Sequence, residues 1–280
     1  MTLHVGSEGC SLATRWGRSA SSAAILAGAI LLVAGQGRAA SAAGEDDVVR
    51  VAVASSFSQT AERLCRRFFA GRPGRCVLTP GSSGLLASQI AQGAPFDLFL
   101  SADRRRAERL EVEGLAMPGT RFTYAVGQLV LWAPAHGGED LETILRGDWL
   151  RTLAIAKPAA APYGAAALET LRALRIDPGG RLRIVQGENA AQAFQFVASG
   201  AADAGFVAMS QVLEYEASPG TAIAHEIVAV DPALHAPIEQ QAVLLARASS
   251  NATARDLLEF LRSDAAGRII LAAGYAAPPR

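Results

Sequence analysis

"LTPGSSGLLASQIAQGAPFDLFLSAD", Leu78–Asp103, holds an apolar run, a glycine–serine corner, a helical stretch and a second apolar run with a polar exit. "CVLTP" reads as a strand, and "GSSG", Gly81 to Gly84, breaks it. In "LLASQIAQG", Leu86 and Ile90 lie four apart and stack on one helix face. "FDLFLSAD" is a buried strand and its exit loop. Strand, helix, strand in this order is the unit of a parallel sheet covered by helices. The corner itself offers two hydroxyls and backbone N–H groups, with no lysine, arginine or metal ligand in it.

The same rhythm runs outward on both sides. "VVRVAVASSF" (Val48–Phe57) reads as a strand ending at Ser55–Ser56. "SQTAERLCRRFFA" follows as a helix with Ala61, Leu64 and Phe68 on one face. Beyond the corner, "RRRAERLEVEG" is a third helix. "QLVLWAP", "LAIAKP", "RLRIVQGEN" and "AGFVAMS" read as further strands, with helices at "LETILRG", "AAALETLRALRI" and "AAQAFQFVASG". "QQAVLLARA" and one final helix, "NATARDLLEFLRSDAAGRIILAAG", close the pattern. The fold class is α/β, with mostly parallel sheet flanked by helices and no repeat or low-complexity linker.

The N-terminus differs. Arg15 and Arg18 precede "SSAAILAGAILLVAG" (Ser21–Gly35), and small residues follow. A basic region, an apolar region and a small-residue zone make residues 1–43 a secretory signal peptide, cut between Ala39 and Ala43. The apolar run is short of the roughly 20 residues that span a bilayer. Without this segment the chain carries 23 basic and 25 acidic residues, a formal charge of −2, and no basic block. That argues against nucleic-acid binding. Cys65 and Cys76 remain, on a helix and the following strand; a disulfide and two separately buried thiols are both compatible with that placement. Two cysteines and four scattered histidines build no metal cluster.

Open α/β sheets bind ligands at the carboxyl ends of their strands. That rule selects the loops at Ser55–Ser56, Gly81–Gly84, Ser101–Asp103, Ala159–Gly164 and Gly187–Ala190, read as lying together on one rim. Several run directly into a helix N-terminus, which presents free N–H donors and partial positive charge. Converging termini form an anion site without formal cations. Each serine taken alone also fits a helix N-cap, Asp103 reads as the cap of "RRRAERL", and Glu188–Asn189 as that of the helix after it.

At these residues the chain resembles the periplasmic molybdate-binding proteins of ABC transporters. The resemblance rests on "VAVASSF", "GSSGLLASQIAQGAPFDLFLSAD", "PGTRFTYAVGQLVLWAP", "IAKPAAAPYGAAALETL", "VQGENAAQAFQFVASGAADAGFVAMSQ" and the "YA" of "LAAGYAAP", and covers about Val49 to Tyr275. It implies a two-lobed type II periplasmic binding protein fold, with residues 48–124 plus 231–276 as lobe one and 125–230 as lobe two. It implies a periplasmic monomer that binds molybdate, and also tungstate, in the interlobe cleft and delivers it to an ABC transporter permease with its cytoplasmic ATPase. No cofactor and no catalytic residue is implied, and no residue is a direct cation ligand. By position, Ser55 and Ser83 match the family's serine donors, while Tyr163 and Ala190 match backbone N–H donors at helix starts. Some members place a tyrosine hydroxyl where this chain has Ala208. A subgroup that shares "RFTYA" and "APYG" implies Tyr124 as the donor instead, with a contribution from Ser56.

Chemistry agrees with such a set. A dianion that stays deprotonated near neutral pH needs donors only, whereas phosphate still carries a proton that welcomes an acceptor. Smaller sulfate leaves donors poorly met, at about 1–3 kcal/mol for each one buried. Sulfate or phosphate remain the alternative ligands. A phosphate-cradling enzyme is the remoter alternative: the sequence has no Walker-type lysine, no G-x-S-x-G elbow and no acid/base pair, and His136, His225 and His235 have no nucleophile at a useful spacing.

Overall fold

The computed structural model describes residues 47–134, 139–177, 180–218 and 227–278. The signal-peptide reading of residues 1–43, and His136 and His225, lie outside them. All the described residues fall in one compact unit.

Two five-stranded sheets form the frame. The first takes β1 (Val48–Ala54), β2 (Arg75–Gly81), β3 (Leu98–Ser101) and β4 (Phe122–Gly127). The second takes β5 (Leu129–Trp132), β6 (Thr152–Ala156), β7 (Arg183–Gly187), β8 (Ala204–Ala208) and β9 (Ile227–Ala229). The chain then returns to the first sheet as β10 (Ile238–Leu244). The orders are β2-β1-β3-β10-β4 and β7-β6-β8-β5-β9. In the first sheet β1 runs parallel to β2 and β3, and β10 antiparallel to β3 and β4. In the second, β6 runs parallel to β7 and β8, and β5 antiparallel to β8 and β9. The backbone crosses between sheets twice, between Gly127 and Leu129 and between Ala229 and Ile238.

Helices cover both faces of each sheet: α1 (Ser58–Phe68), α2 (Ser83–Ala91), α3 (Arg104–Val112), α4 (Leu141–Arg146), α5 (Pro162–Ala173), α6 (Ala190–Ala198), α7 (Met209–Glu216), α8 (Ala252–Leu261) and α9 (Asp264–Ala272). α1 buries Ala61, Leu64 and Phe68, the stripe its periodicity predicts. That stripe packs with Val51, Phe57 and Leu258 on one face of the first sheet, while Leu86, Phe99, Leu110 and Val243 fill the other. β3 is buried along its whole length, as its unbroken apolar run requires. In the second sheet Leu131, Leu153, Leu171 and Phe206 fill one face, and Trp132 stacks on Phe194 at 4.8 Å on the other.

Four elements differ from the sequence reading, one of them the short strand β9, for which that reading held no separate expectation. The final helix is two, because Ser263 caps a new start by accepting the Ala266 N–H at 3.2 Å. A helix, α7, continues directly from β8; the Gln211 side chain accepts the Ala208 N–H at 3.3 Å in place of a capping serine. The segment with Tyr124 is a strand, β4, paired with β10 across a register shift at Gln240/Gln241.

Cys65 and Cys76 form a disulfide between α1 and β2, which resolves the two compatible readings. They lie 11 residues apart in sequence. A loop of that size is worth about 2–3 kcal/mol. Replacing both cysteines by serine is therefore expected to lower unfolding stability by that amount in urea denaturation. Ligand affinity is expected to change little, since the bridge lies at the opposite ends of α1 and β2 from the serine corners.

Candidate functional site

Register brings the corners together. In the first sheet Ala54 pairs with Gly81, and Val53 with Leu100, so Ser55, Ser82–Ser83 and Ser101–Ala102 leave three parallel strands on one edge. In the second sheet Ala156 pairs with Gly187, which sets the Lys157–Ala161 turn beside Glu188–Asn189. The five loops therefore occupy two rims, one on each sheet, rather than the single rim read from the sequence. The rims face and touch. Ser55 Oγ accepts the Ala191 N–H at 3.2 Å, and Gly84 N–H donates to the Ala160 carbonyl at 2.9 Å.

On the first rim Ser82 is the N-cap of α2, its Oγ accepting from Leu85 N–H at 3.4 Å, and Ser83 is the first helical residue. Ser83 Oγ accepts the Ala102 N–H at 2.9 Å, which leaves its hydroxyl proton to donate elsewhere. Asp103 is committed to capping: its carboxylate accepts the Arg106 N–H at 2.7 Å. Ser55–Phe57 forms a 3-10 turn in which all three residues are buried. The Ser56 carbonyl accepts from Tyr275 Oη at 2.7 Å and from Ser210 Oγ at 3.1 Å, which pins this turn to the C-terminal segment and to α7.

On the second rim two helix starts press against strand ends. A Cβ on Gly164 would lie 1.9 Å from the Ala156 carbonyl oxygen, and one on Gly187 2.5 Å from the Ala193 nitrogen. Only glycine lets α5 and α6 approach so closely. α5 starts with Pro162 after Ala161 and has no side-chain cap, so the Tyr163 N–H in its first turn has no intrahelical acceptor. α6 is capped by Asn189, which takes the Gln192 N–H at 3.0 Å. Ala190, as its first residue, also has no intrahelical acceptor. Ala54 and Ala102 at the first rim share one buried cluster with Tyr163 and Ala190 at the second, so the two rims pack together. Ser55, Ser83, Tyr163 and Ala190 are all at most 6% exposed, so the donors are enclosed.

The phenols behave as neutral groups. Burial first, and the neighbouring Tyr275 second, hold Tyr124 well above the usual phenol range; Tyr163 is raised by burial and then by Tyr275 and Tyr124. The Tyr124 ring packs on Phe57 at 4.8 Å within the first-sheet core. Among the described residues, the Tyr124 hydroxyl has no hydrogen-bond partner. Ala208 caps α7 with its backbone and brings no hydroxyl.

Other contacts had no signal in the sequence. Glu214 on α7 accepts from Arg63 Nη2 at 2.5 Å and Thr60 Oγ1 at 3.3 Å, both on α1. Burial raises the Glu214 carboxyl, against the opposing pull of Arg63. Above the ordinary value of 4.5, and up to its raised one, the folded chain keeps a proton that the unfolded chain has lost. Glu214 thus makes stability fall as pH rises through that window. In urea denaturation, wild-type stability is expected to fall relative to Glu214→Gln as pH is raised from 4.5, and a difference of the opposite slope would contradict this. Among the described residues no group of three or more His, Cys, Asp or Glu side chains could hold a metal ion.

The geometry finds its likeness among known proteins. A family model for bacterial extracellular solute-binding proteins matches residues 49–276. The molybdate-binding protein ModA of Azotobacter vinelandii is 40% identical over 228 residues, covering 81% of this chain and 89% of that protein. The molybdate-binding protein ModA of Rhodobacter capsulatus is 41% identical over 237 residues, covering 84% and 89%. The solved structure of the Azotobacter vinelandii periplasmic molybdate-binding protein superposes with a TM-score of 0.77 at 36% identity, over 82% of this chain and 100% of that one.

Proposed function

Because this chain belongs to the bacterial extracellular solute-binding protein family, we propose that it binds molybdate between its two lobes, in the periplasm, and hands it to an ABC transporter permease with its cytoplasmic ATPase. One observation carries the reading: an enclosed set of neutral donors, drawn from both rims, with no carboxylate committed to it. The Ser55 and Ser83 hydroxyls and the N–H groups of Tyr163 and Ala190 take the oxygens of the ion. Ser56 lends the polar turn in which Ser55 sits. Tyr124 supplies a hydroxyl where Ala208 cannot, and the missing partner of its buried Oη supports this. Buried hydroxyls without partners are costly, so an acceptor in the cleft stabilises them.

Tungstate carries the same charge in the same tetrahedral shape and is bound as well. The protein works as a monomer whose lobes, 48–124 with 231–276 and 125–230, move about the two crossings between the sheets. It binds and releases without chemical change. Titration calorimetry of the mature protein with molybdate, tungstate, sulfate and phosphate tests this. Tight binding of the first two is expected. Sulfate binding as tightly as molybdate would overturn the specificity, and binding of none would overturn the function.

A further inference from the structure

We infer that Gly84, Arg106 and the Ala159–Ala160 carbonyls form a latch between the lobes that sets how long the anion stays bound. The inference rests on the anion-binding reading and adds to it residues that do not touch the ion. Gly84 belongs to the first rim and Ala159–Ala160 to the second. Gly84 N–H donates to the Ala160 carbonyl at 2.9 Å, and Arg106 Nη2 donates to the Ala159 carbonyl at 2.7 Å. Arg106 is held for this task. Its Nη1 pairs with Asp103, whose other oxygen accepts the Arg106 N–H at 2.7 Å, and its side chain is only 13% exposed. The accepting turn is equally fixed: Ala160 N–H and Ala161 N–H both return to the Lys157 carbonyl, at 3.0 and 2.8 Å, and Lys157 N–H donates to Gly187 at 2.7 Å.

Gly84 explains itself in the same terms. Its φ is not positive, so no turn demands a glycine there. A Cβ at this position would instead meet the Ala160 Cα, the Ala160 carbonyl oxygen and Arg106 Nη2, each at 3.1 Å. The second glycine of "GSSG" leaves room for the opposite lobe. A cavity of about 660 Å³ opens outside this seam, lined by Ser82, Gly84, Arg106, Lys157, Ala160 and Asn189 but by none of the four enclosed donors. The latch therefore lies between the ion and solvent. Ser83 directly precedes Gly84, and Tyr163 follows Ala160 by three residues, so bonds at the latch hold the two donor sets at a fixed separation.

These bonds form only when the lobes meet, so they act on dissociation and leave capture by the open form unchanged. Arg106→Ala removes the charge-assisted bond to Ala159 together with the ion pair to Asp103, and Gly84→Ala wedges a methyl into the seam. Stopped-flow exchange with molybdate, tungstate, sulfate and phosphate reads both rates. Each variant is expected to dissociate its ion about tenfold faster, the effect of one such bond. Association is expected to stay within about twofold, the scatter usual among variants of one site, and the ligand-free melting temperature of Gly84→Ala is expected to be unchanged. Unchanged dissociation in both variants, with binding intact, overturns the latch and leaves the proposed function standing. Slower association at unchanged dissociation also overturns it, and means that Arg106 attracts the ion instead. A wild-type chain that binds none of the four ions overturns both readings.

Discussion

Ser83→Ala is expected to weaken molybdate binding by about a hundredfold or more in titration calorimetry. Two losses combine. The hydroxyl proton no longer reaches the ion, and a hydrogen bond to a charged group contributes about 1.5–3 kcal/mol. The Ala102 N–H, now bonded to Ser83 Oγ at 2.9 Å, is left buried without an acceptor, which costs about 1–3 kcal/mol more. Part of that second cost falls on the free protein, so a lower melting temperature should accompany the lost affinity. Ser82→Ala is the control within the same corner. Ser82 caps α2 and nothing more, so about 1 kcal/mol of stability and little affinity are at stake. Equal affinity losses for the two variants would remove Ser83 from the site.

Gly164→Ala is expected to be the most damaging glycine-to-alanine change among the described residues. The added carbon would fall 1.9 Å from the Ala156 carbonyl oxygen and 2.5 Å from its carbon, both of them backbone. Neither can swing aside as a side chain could, so α5 must lift off the end of β6. Overpacking of a well-filled site costs about 1–3 kcal/mol and occasionally more, and this contact belongs at the upper end. The Tyr163 N–H rides on the displaced turn, so molybdate affinity should collapse in the fraction that still folds. A melting temperature within a degree or two of wild type would show that the helix start accommodates the methyl.

Much of this was legible in the sequence because it depends on local pattern. The strands before Ser55, Ser82 and Gly187 are short apolar runs cut off by polar or glycine corners, and α1 and α2 carry their buried stripes in plain four-residue spacing. Ser82 and Asp103 could be read as caps because capping is a relation over three residues. Where the signal was weak, the sequence reading failed for a physical reason. α7 begins with no break after β8, since a glutamine side chain three residues on does the work of a cap. The split between α8 and α9 had a cue in Ser263, but the apolar pattern on both sides hid it. Tyr275, Ser210, Glu214 and Arg106 meet partners between 53 and 219 residues away, and no spacing rule reaches that far. Glycines show the same divide: Gly84 reads as part of a turn in the sequence and as clearance for a second lobe in space.

The late return of β10 has a consequence for the order of assembly. Every strand of the second sheet lies between Leu129 and Ala229, so that half can nucleate on contacts that are close in sequence. The first half cannot close in the same way. Its strand β10 lies between β3 and β4, and it is the last of the ten described strands in chain order. A chain without the segment from Ile238 onward would hold β2-β1-β3 and β4 as separate pieces with exposed edges. The contact order of this half is high, and its folding waits for a nearly finished chain. The donors at Ser55 and Ser83 therefore gain their rigid setting only once β10 is in place, and the half that carries Tyr163 and Ala190 is the one whose strands need no such late return.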